Sequence, residues 1–281
     1  MKLFNSCLTT ICLVFLIGTT SLFAQKMQAE DVLAKHLDSI GSIKNRNSVT
    51  SRIILTNLKF KPQSSGTFGG KAVIASSKDG SIFGMTLDSN EYPLDKFSFD
   101  GKKVKVGYIK PGIRSVLGGF ILSYEELMKE GLLGGTLSLL WSPLDSGAKK
   151  SKLSYRGESK LDGKETFVLG YSPKGGSDLD IKMYFDKNNF QHLRTEYNRV
   201  VAAQMGRTVD GSARQVESRY RLIEDFSNFK NYGGLNLPSE YKIFYSERGA
   251  IRTAEYTWEF NVTDVSFNQA LGNNAFDIDA N

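Results

Sequence analysis

Two Asp-Gly pairs, Asp100-Gly101 and Asp162-Gly163, each stand between segments in which apolar and polar residues alternate, and this pattern limits the fold more than any other feature of the chain. Asp-Gly reaches the positive φ values of a tight primed turn, so each pair predicts a β-hairpin. Phe97 and Phe99 lead into the first turn, and Val104, Val106 and Tyr108 resume the alternation after it. Around the second turn Leu153 and Tyr155 lead in, and Phe167, Leu169 and Tyr171 lead out. The same period of two runs through Ile54, Leu58 and Phe60, through Phe83, Met85 and Leu87, and through Leu179, Ile181, Met183 and Phe185. Side chains two apart share one face of a strand, so each run reads as a half-buried strand. Further strands are predicted around residues 216–222, 237–245 and 252–267. The total, roughly a dozen hairpin-linked strands, describes a mainly β fold built as a large antiparallel curled sheet or unclosed barrel. No βαβ alternation occurs, which excludes a parallel nucleotide-binding sheet.

Two segments depart from that period. Residues 29–40 place Val32, Leu33, His36, Leu37 and Ile40 at helical spacing, with Glu30 and Asp31 in the first turn and Gly41 just beyond the last. They predict an N-terminal amphipathic helix. From about residue 113 to 143 the chain is rich in Leu and Gly, with Ser123 placed to cap a helix over residues 124–129. This segment is too apolar to stand in water, so it is expected to close the barrel, either as a helical plug of ordinary core or as a lid over a ligand cavity.

The start of the chain predicts its compartment. Lys2 precedes a nearly uncharged apolar run from Cys7 to Phe23, with Ala24 following, the pattern of a secretory signal peptide over residues 1–24 cleaved after Ala24. The expected location is the periplasm. Both cysteines of the chain, Cys7 and Cys12, lie in that segment, so residues 25–281 carry neither disulfide nor thiol and must be held by their core. Those residues form one expected domain, since the Gly- and Ser-bearing stretches at 61–70 and 174–178 are short and flanked by strands. The chain has 36 Lys and Arg against 30 Asp and Glu without any long run of like charge, which argues against a nucleic-acid partner.

Residues able to carry chemistry are few. His36 and His192 are separated histidines without metal-ligand spacing, with His192 read as sharing a strand face with Arg194 and Glu196. No nucleophile elbow, phosphate-cradling loop or zinc motif occurs. Carboxylate pairs such as Glu125 with Glu126, or Asp178 with Asp180, would be needed for a hydrolase hidden in an unfamiliar arrangement. The chain therefore reads as a non-enzyme without cofactor or metal, and a monomer is expected.

Four segments carry a family resemblance: KHLDSIGSIKNRNSVTSRI (35–53), EGLLGGTLSLLWSPLD (130–145), DLDIKMYFDKNNFQHLRTEY (178–197) and RYRLIEDFSNFKNYGGLNLPSEYKI (219–243). Together they resemble exported bacterial proteins of the LolA-LolB-like superfamily, nearest its uncharacterised outer-membrane lipoprotein-sorting relatives. The resemblance implies an unclosed antiparallel barrel of about eleven strands wrapped around helices. In the best-known relatives the apolar interior holds lipoprotein acyl chains in transit. It implies no individual site residue. The reading of the residues supplies candidates instead: Phe83, Met85, Phe97, Phe99, Leu127, Leu132, Leu133 and Trp141 would line an apolar cavity or its lid, and each also fits plain core. The leading expectation is a periplasmic carrier or chaperone for a lipid or lipidated protein. The alternative is a non-catalytic envelope module with a filled barrel that binds a protein partner through its exterior.

Overall fold

The computed structural model describes residues 27–64, 66–145, 152–203, 217–249, 253–272 and 274–279. The expected signal peptide and its cleavage point lie outside these residues.

Twelve strands form one antiparallel sheet: β1 (Ser51–Pro62), β2 (Phe68–Ser77), β3 (Ser81–Leu87), β4 (Leu94–Phe99), β5 (Val104–Val106), β6 (Lys152–Leu161), β7 (Lys164–Ser172), β8 (Asp180–Asp186), β9 (His192–Val201), β10 (Ser218–Tyr232), β11 (Leu235–Arg248) and β12 (Thr253–Phe267). Their spatial order is β5-β4-β3-β2-β1-β12-β11-β10-β9-β8-β7-β6. Every ladder but one joins strands consecutive in the chain. The exception, β1 with β12, welds an N-terminal meander to a C-terminal one, with Leu58 opposite Phe260 and Phe60 opposite Trp258. Strands β5 and β6 are the two edges and do not pair with each other, so the sheet curls without closing. Both Asp-Gly turns are where the sequence places them. Asp162 and Gly163 have φ of 47° and 87°, the left-handed pair that a two-residue hairpin between β6 and β7 requires.

The helices all serve the concave face. α1 (Ala29–Ile40) spans the predicted residues, and Asp31 accepts a hydrogen bond from the Gln28 N–H at its start. A second short helix that the periodicity does not announce, α2 (Ile43–Asn47), follows at once, capped by Ser42. Its Asn45 side chain donates to the Gly234 carbonyl at 3.1 Å, tying the helix pair to the β10–β11 turn.

The apolar segment folds into the sheet as a plug. It consists of α3 (Val116–Ser123), α4 (Glu126–Lys129) and two single 3₁₀ turns, Gly135–Leu137 and Ser142–Asp145. The helix expected over residues 124–129 is α4, which starts two residues later and has Glu125, without a side-chain cap bond, in the place expected of Ser123. A further helix, α3, precedes it and is capped by Ser115, whose Oγ accepts from the Gly118 N–H at 2.8 Å. Ser123 is the last residue of α3 and donates back to the Gly119 carbonyl at 3.1 Å. A serine satisfies either role locally, and sequence alone does not separate them. After α4 the chain reverses at Gly131, whose φ is +60°, and residues 132–142 run back until the Ser142 N–H meets the Glu130 carbonyl at 2.8 Å. A Cβ at Gly131 would stand 2.3 Å from the Leu140 carbonyl carbon. Gly131→Ala is therefore expected to cost more than about 2 kcal/mol, from left-handed strain plus a backbone clash, read as a fall in the urea midpoint.

Candidate functional site

Inward-facing positions on the curled sheet are mostly apolar, and the exceptions define where the plug is held. Arg52, with the parity of Ile54, Leu58 and Phe60, donates through Nη1 to the Thr136 carbonyl at 2.5 Å while only 3% exposed. Ser76 on β2 accepts from the Leu139 N–H at 3.0 Å. Glu224, between Leu222 and Phe226 on β10, is fully buried and accepts from the Gly134 N–H at 2.6 Å, from Tyr197 at 2.7 Å and from Tyr241 at 2.5 Å. Within the plug, Glu130 accepts from the Tyr171 hydroxyl and from the Lys174 N–H at 2.8 Å. At the plug's entrance Asp95 of β4 accepts from the Tyr92 hydroxyl and from the Lys96 N–H at 3.1 Å, and the α3 cap Ser115 lies beside it, drawing its carboxyl down.

Burial sets the electrostatics of these groups. It pushes Glu224 up to about 7 against the opposing pull of its three donors, and Asp95 up to about 6 against Ser115, Tyr92 and the Lys96 N–H. Glu224 thus titrates near neutral pH, whereas Asp95 gives up its proton about one unit lower.

Trp141, at the plug's far end, packs between the two histidines. Its ring stacks on His192 at 5.0 Å and meets His36 edge-on at 5.3 Å. The sequence reading places His192 with Arg194 and Glu196, and the structure separates them. Tyr184 pairs with Arg194 but Phe185 pairs with His192, so Leu193 is the extra residue of a bulge. The bulge reverses the parity of the strand start and turns His192 inward beside Thr195 and Tyr197. His36 Nδ1 lies 2.7 Å from the Phe190 carbonyl, which can only accept, so Nδ1 carries the proton. Burial lowers His36 to about 4, with the Phe190 carbonyl opposing and the Arg46 charge reinforcing, and lowers His192 well below its ordinary value. Both are neutral packing residues in this setting. Among the described residues no group of three His, Cys, Asp or Glu side chains could hold a metal ion.

A buried neutral imidazole has a definite pH signature. The unfolded chain takes up a proton at His36 below about 6.5 and the folded chain does so only near 4, so this contribution to stability is present above 6.5 and is lost as pH falls toward 4. The stability gap between wild type and His36→Phe is expected to narrow by up to about 3 kcal/mol across that window, measured by urea unfolding at several pH values.

Of the eight sequence candidates, Phe83, Met85, Phe97, Leu127, Leu132, Leu133 and Trp141 are buried in one continuous core, and Phe99 is half-buried at its margin. Phe83 and Phe97 meet across β3 and β4 with ring centroids 6.2 Å apart. Leu127, Leu132, Leu133 and Trp141 belong to the plug itself and pack onto the sheet residues Phe83, Met85 and Phe97, and two open spaces lie elsewhere. One is a cleft of about 430 Å³ beside the start of α3, walled by Phe60, Phe68, Tyr92, Tyr256 and Trp258. Phe60 organises it, with Tyr92, Trp258 and Tyr256 centroids at 4.9, 5.2 and 6.2 Å, and Ile113 stands at its lip with 54% of its surface exposed. A second, of about 480 Å³, lies at the opposite end of β1 and includes Arg52 and Trp141. Only Trp141 of the eight candidates borders either opening. The sequence did carry a signal for Arg52 and Glu224: each occupies an inward parity position in its strand, where a charge is costly without a partner.

No protein-family model and no curated protein matches this chain. Among solved structures it is similar to a LolA superfamily protein from Nitrosomonas europaea, at 15% identity and a TM-score of 0.47, over 90% of this chain and 99% of that one. It is also similar to a DUF1329 family protein from Desulfovibrio piger, at 10% identity and a TM-score of 0.44, over 90% of this chain and 98% of that one. The superfamily that the sequence segments resemble is among these matches.

Proposed function

We propose that the protein is a non-catalytic binding protein of the cell envelope that takes up an apolar chain of a lipid or lipidated protein, as a periplasmic carrier does. The observation that carries this reading is the aromatic cleft at the entrance to the plug. Its walls are ring faces and edges, and an aliphatic chain laid among them would be removed from water at a gain of roughly 25 cal/mol per Å². The cleft adjoins the Asp95–Ser115 contact that holds the start of α3. A chain too long for the cleft alone would extend by displacing α3, whose face toward the sheet is apolar.

A second reading is favoured by the filled interior. With seven candidate lining residues packed as core, the barrel is stable without cargo, and the Tyr108 and Ile113 surface would then bind a protein partner. Native mass spectrometry separates the two. Protein purified from its own host is expected to carry a stoichiometric apolar adduct, and Phe68→Glu, at the half-buried rim of the cleft, is expected to lose it with an unchanged circular dichroism spectrum. A clean apo mass for the wild type would sink the carrier reading in favour of the interaction module.

A further inference from the structure

The cavity at the other end of β1 has a chemistry of its own. Arg52 and Phe60 are eight residues apart on that strand, so this cavity lies roughly 26 Å from the aromatic cleft. Three basic side chains, Arg46, Arg52 and Lys78, border its 480 Å³, and no acidic residue does. Arg46 is already engaged: its guanidinium donates to the Leu37 and Gly41 carbonyls and lies 3.7 Å from Asp38. Arg52 is not. Its single hydrogen bond is to the Thr136 carbonyl, its Nε has no partner, and among the described residues it forms no ion pair.

The site is buried where the charge sits and open where a ligand would enter. Arg52 is 3% exposed, and its nearest aromatic contact is Phe267 at 5.7 Å. Trp141, another residue of the cavity wall, has an indole N–H that is likewise buried without a partner. Lys78, in the β2–β3 turn, is exposed at the rim. A buried guanidinium with free N–H groups and no counter-charge is costly to keep, and a planar fork of this kind matches an oxyanion in two-point contact. The rest of the wall, Ile40, Val49 and Leu139 among it, is aliphatic.

We propose that this cavity binds a phosphate-type oxyanion, with Arg52 as its main ligand, Trp141 Nε1 as a second donor and Lys78 drawing the anion to the mouth. The aliphatic wall leaves space for a chain attached to that anion. Occupancy would also bear on the plug, because Arg52 and Trp141 both belong to the contacts that hold residues 136–141 against the sheet. The site is independent of the aromatic cleft and of the carrier reading.

Isothermal titration of the purified protein with dodecyl phosphate, inorganic phosphate and dodecanol tests this. Measured in the Phe68→Glu background, which removes the aromatic cleft as a competing site for the alkyl chain, dodecyl phosphate is expected to bind one to one, Arg52→Met to weaken it at least tenfold, and Lys78→Glu severalfold. Inorganic phosphate binding as tightly as dodecyl phosphate would assign the site to a free anion, and binding of the alkyl form alone would assign it to a lipid headgroup. Wild-type protein that binds neither anion, or anion binding that Arg52→Met and Lys78→Glu leave intact, overturns the proposal. Should Arg52→Met fail to fold, Lys78→Glu on the exposed turn decides alone. Uptake of dodecanol that only Phe68→Glu abolishes would uphold the apolar cleft while contributing nothing to the anion site.

Discussion

Replacing Glu224 by alanine is expected to lower the unfolding free energy by about 3 to 5 kcal/mol near pH 6, because the Gly134 N–H and the Tyr241 hydroxyl lose their acceptor in a dry interior and the Tyr197 hydroxyl keeps only the Leu132 carbonyl at 3.2 Å. The Gly134 N–H, the Tyr197 hydroxyl and the Tyr241 hydroxyl all point at this one carboxyl, and each lies in the core. Glu224→Gln keeps an acceptor oxygen in nearly the same volume and is expected to cost only about 1 to 2 kcal/mol. The two variants therefore separate loss of the acceptor from loss of the charge.

The same pair carries a pH signature of known sign. Burial raises Glu224 to about 7 in the folded protein, while the unfolded chain titrates near 4.5. Between those values the folded state binds more protons than the unfolded one, so the Glu224 contribution to stability is greatest below about 4.5 and declines as pH rises through 7. Wild type should lose ground against Glu224→Gln by up to about 3 kcal/mol over that interval, as measured by urea unfolding. A gap that widens with rising pH would mean that Glu224 is held as a stabilised anion. Because Glu224 reaches the plug through Gly134, amide exchange in Glu224→Ala should accelerate first over residues 132–142, before the central strands respond.

Trp141→Ala is expected to cost about 3 to 5 kcal/mol, the range for removing a large buried aromatic. Trp141 is 1% exposed and fills the space between α1, through His36, and β9, through His192. Its loss opens a cavity bordered by two imidazoles and next to the Arg52 cavity, so water has polar groups to meet there and the cost should sit toward the lower end. Guanidinium unfolding monitored by far-ultraviolet circular dichroism measures it without relying on the tryptophan signal. Trp141, from within the plug, and Glu224, from β10, hold the same stretch of it. Their effects in the double variant should sum to less than the two singles, since a plug already loosened by one loss has less left to lose.

The helical plug connects these predictions to function. It fills the concave face with leucines as a core does, yet its backbone is fastened by a few side chains from the sheet, Arg52 through Thr136, Ser76 through Leu139 and Glu224 through Gly134, with Asp95 beside the cap Ser115 as a fourth contact. Two of the four contacts are carboxyls that burial brings to about 6 and about 7. The grip on the plug is accordingly sensitive to conditions near neutrality, at the end with the aromatic cleft and at mid-length alike.

The sequence by itself determined the class of the fold. Alternation at period two, Asp-Gly at two turns and helical spacing over residues 29–40 are signals within a few residues of one another, and α1 and the strands other than β2 follow from them because side-chain direction and turn geometry are local properties. Tertiary structure alone decided the rest. The pairing of β1 with β12 joins residues about two hundred positions apart, and no local signal announces it. The bulge at Leu193 turned His192 from the outer face to the core, since one extra residue reverses every side chain before it. Ser123 did not cap α4 because it closes α3 instead, donating to the Gly119 carbonyl one turn earlier, and the presence of α3 was not legible in the local pattern. The apolar candidates became core because the plug packs its own leucines and Trp141 onto the sheet residues, and the aromatic cleft and the Arg52 cavity formed instead at opposite ends of β1. Arg52 and Glu224 were visible as charges at inward positions. What each does there depends on partners 84 and 90 residues away, and only the folded chain brings those within a hydrogen bond.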